Sequence, residues 1–182
     1  MNGIKTRHLT IDAMLAALCA VLGYVSLDLG NLKLTFESLP ILLGALLFGP
    51  VDGLAIGGVG TLLYQFLRYG ISATTLLWVL PYALCGLIVG WRALRRGFRL
   101  TQRQILALVV AGELLITALN TGVLYIDSRI YGYYTPAFLF GSLALRLLLC
   151  VVKACAFGAV LPGLSGAVRR ALRLHLPAHG GA

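Results

Sequence analysis

Between Leu9 and Leu161 the chain is a succession of long apolar runs, separated by short segments of charged or turn-forming residues. A soluble domain of 182 residues could not hide them, because a domain near 150 residues still leaves about 30% of its chain surface in water. Hydrophobic residues make up 59% of the chain and charged residues 12%, whereas a soluble domain carries about 25% charged residues. The chain therefore reads as an all-α integral membrane protein. A spanning helix takes roughly 20 apolar residues and its loop a few more. The length is then spent on roughly six spans in a single domain over residues 1–182. That leaves no room for a separate catalytic, ATP-hydrolysing or extracellular binding domain.

The net charge of +9 comes from 15 Lys and Arg against 6 Asp and Glu, and it is clustered. Lys5, Arg7 and His8 precede the first apolar run; Arg92, Arg95, Arg96, Arg99 and Arg103 fill one middle loop; Arg169, Arg170 and Arg173 close the chain. Basic residues in short loops stay cytoplasmic. Both termini are then expected inside, which requires an even number of spans. The basic start followed by an apolar stretch imitates a signal peptide, but Leu9 to Leu27 is long for one, and a retained first helix is expected. Cys19, Cys85, Cys150 and Cys155 all fall in apolar runs without metal-ligand spacing, and read as buried, reduced packing residues.

The expected helices cover about 9–27, 39–48, 51–67, 73–91, 104–126 and 138–161, with a basic tail after 165. Between the first two, Asp28 to Glu37 partly alternates polar and apolar residues and reads as strand-like. The run from Ser38 to Leu67 is too long for one helix, and Phe48-Gly-Pro-Val-Asp-Gly53 supplies a tight turn within it. The short second helix is tolerable where protein rather than lipid covers its ends.

The chain has no G-x-x-x-x-G-K-[ST] loop, no H-E-x-x-H pair and no G-x-S-x-G elbow, so nothing supports an enzyme. The informative residues are charges inside spans, which are expensive in lipid and face the protein interior. Glu113 in the fifth helix and Lys153 in the sixth share a depth and read as a neutralising pair. Arg146 lies two turns from Lys153 on the same face; with Asn120 it could grip a ligand carboxylate. Gln65 and Arg68 end the third helix, where Arg68 either snorkels to the headgroups or binds a ligand. Thr74, Trp78 and Tyr82 repeat at one-turn spacing and offer an aromatic face, for packing or for stacking a planar ring. Tyr125 and the tyrosines after it form an interfacial belt or a lid. The first external segment, with Lys33 and Phe36, is a second lid candidate. Lys33, Arg68, Arg129 and Arg146 would make the outer half positive, which suits an anionic solute. Ala13 with Ala17, and Ala16 with Ala20, give the first helix small-residue faces for close helix approach.

These pieces resemble the substrate-binding S component of an energy-coupling factor (ECF) vitamin transporter. The resemblance rests on the Ala-rich first helix, on Leu34-Thr-Phe-Glu-Ser-Leu-Pro-Ile41 and above all on Leu43-Gly-Ala-Leu-Leu-Phe-Gly-Pro-Val-Asp-Gly53. Leu119-Asn-Thr121 and Leu143-Ala-Leu-Arg146 look like the folate-type branch, except that Lys153 follows Arg146 by two turns rather than one. The resemblance implies capture of a vitamin from outside, in a pocket of helices four to six and the first external loop. It also implies docking through Ala13, Ala16, Ala17 and Ala20 onto a transmembrane T subunit with two ATPases in a bacterial cytoplasmic membrane. ATP would be used by those partners, with no cofactor in this chain. Folate is the favoured substrate, with pantothenate, cobalamin or a queuosine precursor as alternatives. A stand-alone small-solute transporter or channel, using Glu113 and Lys153 on an ion path, is the rival class.

Overall fold

The computed structural model describes residues 2–28, 33–137, 141 and 143–172. Six long helices dominate the described residues: α1 (Asn2–Tyr24), α2 (Ser38–Phe48), α3 (Pro50–Tyr69), α4 (Thr75–Arg95), α5 (Gln102–Ile130) and α6 (Leu143–Leu172). Thr75–Arg95, Gln102–Ile130 and Leu143–Ala171 are each long and apolar enough to cross a membrane, and His8–Tyr24 and Ser38–Phe48 are shorter apolar helices. Large apolar side chains remain on the outer surface in rows: Leu106, Val110 and Leu114 on α5; Leu145, Leu148 and Val152 on α6. A soluble monomer rarely leaves so much contiguous apolar surface bare. Lipid is the solvent that suits it.

The centre of the fold is α2. Pro40 to Leu47 are all buried along this helix, and a helix apolar on every side belongs inside a bundle. It touches each of the other five helices, which explains how a helix too short to span is tolerated. Gly49 sits at φ 115° between α2 and α3, a left-handed conformation that favours glycine, and Pro50 then opens α3 at a position where its missing N–H costs nothing. The α3–α4 pair is the tightest. A Cβ on Gly57 would stand 2.6 Å from the Tyr82 carbonyl oxygen, so the absence of a side chain there sets the depth of Tyr82.

The helix order and approximate positions agree with the sequence reading, while several ends differ. The first helix starts at Asn2 rather than 9 and stops at Tyr24 rather than 27. The apolar run marks where lipid lies, and Lys5 and Arg7 are good helix formers that continue the helix beyond it. Its end is cut short because Leu27–Asp28 pairs antiparallel with Lys33–Leu34, Leu27 facing Leu34 and Asp28 facing Lys33. This small hairpin is the strand-like segment expected from the alternation. At the other end α6 runs through Pro162 to Leu172 rather than ending at 161. The segment from 138 to 140 and the tail from 173, with Arg173, lie outside the described residues.

Cys155 is a correction: it lies exposed on α6, whereas Cys19, Cys85 and Cys150 are buried. Small residues on α1 also divide. Ala16 and Ala20 are buried, while Ala13 and Ala17 face outward. Only the Ala13/Ala17 face is therefore free for a partner.

Inserting a side chain at the tightest crossing should loosen the fold. Gly57→Val is expected to cost about 1–3 kcal/mol through overpacking, read as a lower thermal midpoint of the detergent-purified protein against Gly58→Val, where a Cβ meets only Ala83 at 4.0 Å.

Candidate functional site

A cavity of about 630 Å³ opens between α3, α4, α5 and α6, with the end of the first external segment against it. That is the size of a small-molecule pocket, which runs from about 300 to 1,000 Å³. Its α5 wall follows from a heptad stripe. Glu113, Asn120 and Asp127 recur at seven-residue spacing, which returns to the same helix face every two turns, and all three line the cavity. On α6 the same geometry brings Arg146, Cys150 and Lys153 to the wall.

The floor is a buried ion pair. Lys153 Nζ lies 2.9 Å from Glu113 Oε2, and the Glu113 side chain is only 1% exposed. Ser38 at the start of α2 donates its hydroxyl to Glu113 Oε1 at 2.5 Å. Buried charges persist when paired and hydrogen-bonded, and here both conditions hold. The pair is the one expected from sequence, but it also lines the cavity rather than serving packing alone. Beside it, Thr35 donates to Glu37 Oε1 at 3.0 Å, and Asn120 Nδ2 donates to the Tyr82 hydroxyl at 3.3 Å.

The mouth is organised on Asp127. Its Oδ1 accepts the Thr74 hydroxyl at 2.5 Å and the Trp78 indole N–H at 3.4 Å, tying the start of α4 to the end of α5. Tyr133 donates to Asp127 Oδ2 from the following loop. Burial and this hydrogen bond push the Tyr133 phenol up to about 12, so it stays a donor across the neutral range.

Gln65, Thr74, Trp78, Tyr82, Asn120, Arg146 and Lys153 thus meet at one cavity, whereas Phe36, Arg68 and Tyr125 do not line it. Arg68 stays at the rim, its Nη1 donating to the Tyr24 carbonyl at 3.1 Å and its guanidinium 5.8 Å from the Tyr24 ring. Tyr125 faces outward, edge-on to Tyr134 at 5.5 Å, with the Arg129 guanidinium 4.1 Å from the Tyr134 ring. Phe36 packs towards Phe157 at 6.3 Å, against the core. The side chain of Lys33 lies outside what the structure describes. The outer positive charges therefore do not continue inward: of the four basic residues expected to attract a solute, Arg146 alone lines the cavity among the described residues, alongside three carboxylates.

The sequence reading missed Glu37, Tyr64 and Asp127, which also line the cavity, as does Tyr131 from the tyrosine-rich loop named there as a lid candidate. Acids at helix ends look like solvated surface. The Glu113–Asn120–Asp127 stripe was the signal that could have found Asp127.

A model of the family described as ECF transporter, substrate-specific component, matches residues 7–172. The chain belongs to that family. Members are transporter components rather than enzymes. Two curated proteins are also similar to this S component. A UPF0397 protein of Lactobacillus johnsonii is 32% identical over 99 residues, which is 52% of this chain and 51% of that protein. A UPF0397 protein of Lactobacillus gasseri is 31% identical over 99 residues, with the same coverage. The chain spans about half the length of these curated relatives.

The floor pair gives a direct test. Lys153→Met leaves Glu113 buried without its counter-charge, and should destabilise the protein by about 3–5 kcal/mol. Adding Glu113→Gln should recover most of that loss in the same unfolding measurement.

Proposed function

We propose that this S component captures a vitamin-sized solute from outside in the 630 Å³ cavity and delivers it through an ECF complex in a bacterial cytoplasmic membrane. The observation that carries this reading is the cavity itself: a partly open site in a membrane domain, with polar groups on every wall and the aromatic side chains Trp78, Tyr82 and Tyr131 among them. A ligand site combines a few placed polar groups with apolar and aromatic surface in this way. Both termini are cytoplasmic in this reading, because the arginines between α4 and α5 and those near the end of α6 mark the inner side.

The favoured substrate is of the folate type. A pterin offers a flat ring for the aromatic wall. Its glutamate carboxylate suits Arg146, whose Nε is buried with no hydrogen-bond partner among the described residues and whose planar fork matches a carboxylate. Pantothenate is the smaller anionic rival. Docking onto a T subunit would use the outward Ala13/Ala17 face of α1, and the ATP would be hydrolysed by two partner ATPases.

Equilibrium titration of the purified chain with folate and pantothenate, followed by Trp fluorescence, tests the reading. Saturable quenching by one of them is expected, since Trp78 is one of the two tryptophans and lines the cavity. Arg146→Ala should weaken that binding by roughly 10- to 100-fold, the effect of losing a charged hydrogen bond of about 1.5–3 kcal/mol. Affinity unchanged in Arg146→Ala would contradict the proposed seat for the carboxylate. Vesicles holding this chain alone should accumulate the vitamin far more slowly than vesicles holding the full complex with ATP; equal uptake would favour a stand-alone transporter.

A further inference from the structure

The polar atoms left without partners are not distributed as an all-anionic solute would require. Glu37 is 1% exposed, and while its Oε1 takes the Thr35 hydroxyl, its Oε2 has no partner among the described residues. Asn120 Oδ1 is likewise buried and unmet, because the amide nitrogen is turned to Tyr82. Both residues line the cavity. The Tyr82 hydroxyl stands beside both Glu37 and Asn120, so the two acceptors share one region of the wall.

The polar groups near that region are not all matched. Glu113 is already matched by Lys153, which leaves Glu37 without an ion-pair partner of its own among the described residues of the floor. Two turns up α6, about 10 Å at 1.5 Å per residue, Arg146 offers the opposite character through an unmet donor. A buried acceptor without a donor costs free energy that a ligand can recover by supplying one.

We infer that Glu37 is a specificity-determining residue, and that the substrate enters with an N–H-rich or cationic heterocyclic edge pointing down to Glu37 and Asn120. Its anionic or acceptor end lies above, at Arg146. The chemical class is therefore a nitrogen heterocycle with adjacent N–H donors, such as an amino-substituted pyrimidine or pterin ring, rather than a simple carboxylic acid. This rests on the reading of the cavity as the substrate site. It adds the polarity of the bound molecule and a residue that recognises it.

The test uses the full chain in detergent with three probes: folate, thiamine and pantothenate. Folate and thiamine carry an amino-substituted ring edge, and pantothenate carries none. Binding of a ring-bearing probe at least tenfold tighter than pantothenate is expected. Glu37→Gln should weaken it tenfold or more, because the amide puts an N–H donor in place of one of the two carboxyl oxygens. Gln keeps the size of the side chain, and an unchanged helical circular dichroism spectrum should accompany the loss. Trp78→Ala serves as the control for the cavity. Binding weakened by Trp78→Ala but unchanged by Glu37→Gln overturns the inference and leaves the cavity as the site. Tighter binding of pantothenate than of either ring-bearing probe also overturns it. Affinity unchanged in both variants overturns the cavity reading and this inference together.

Discussion

The Glu113–Lys153 pair is the interaction on which the architecture turns. It joins α5 to α6, and the Ser38 hydroxyl adds α2, so one buried charge pair fixes three helices at a common depth. Desolvating two charges inside a membrane domain is expensive, and the cost is offset only when attraction and hydrogen bonds are both in place. That demand explains why α2 must begin at Ser38 and run through the middle of the bundle. It also leaves a polar floor on which a cavity can rest, since residues above the pair on α5 and α6 repeat the same helix faces.

From that floor the rest of the site follows by helix geometry. The α5 stripe ends at Asp127, where Thr74 and Trp78 of α4 converge, and Tyr133 closes on the same carboxylate from the loop. The two ends are thus built alike, each around a buried acid that ties neighbouring helices together. Between them Trp78 and Tyr82 present aromatic surface, while close α3–α4 packing at Gly57 sets the position of Tyr82. The walls are held by close main-chain approach and buried polar bonds, which limits the rearrangement a ligand must impose. Preorganisation of this kind is what lets a small solute bind without a large ordering cost.

Much of this was legible in the sequence, for physical reasons that can be named. Apolar runs and clustered arginines reveal helices in lipid, because both respond to the same solvent boundary. Helix ends were less legible, since lipid stops mattering at Leu9 and Leu161 while backbone hydrogen bonding continues to Asn2 and Leu172. In the site, Trp78, Tyr82, Asn120, Arg146 and Lys153 were found because a polar or aromatic group deep in an apolar helix is conspicuous. Glu37 and Asp127 were not, since an acid beside a helix end is ordinary at a surface, and only the fold shows these two buried. Arg68 and Tyr125 were as conspicuous in sequence, and of the two roles open to each the structure shows the side chain at the rim or outer face. The two alanine pairs of α1 looked equivalent at i, i+4 spacing, and only packing against the neighbouring helices separates the buried pair from the exposed one.

The central claim is that this chain by itself holds one vitamin-sized molecule inside its helical bundle. Native mass spectrometry of the protein released from freshly prepared membranes, without added ligand, tests it most directly. The account predicts a population carrying one small-molecule adduct per chain, absent from a Thr117→Trp variant, because Thr117 lines the cavity and an indole there would fill it. A bare chain in both proteins, or an adduct that survives the filling of the cavity, would contradict it.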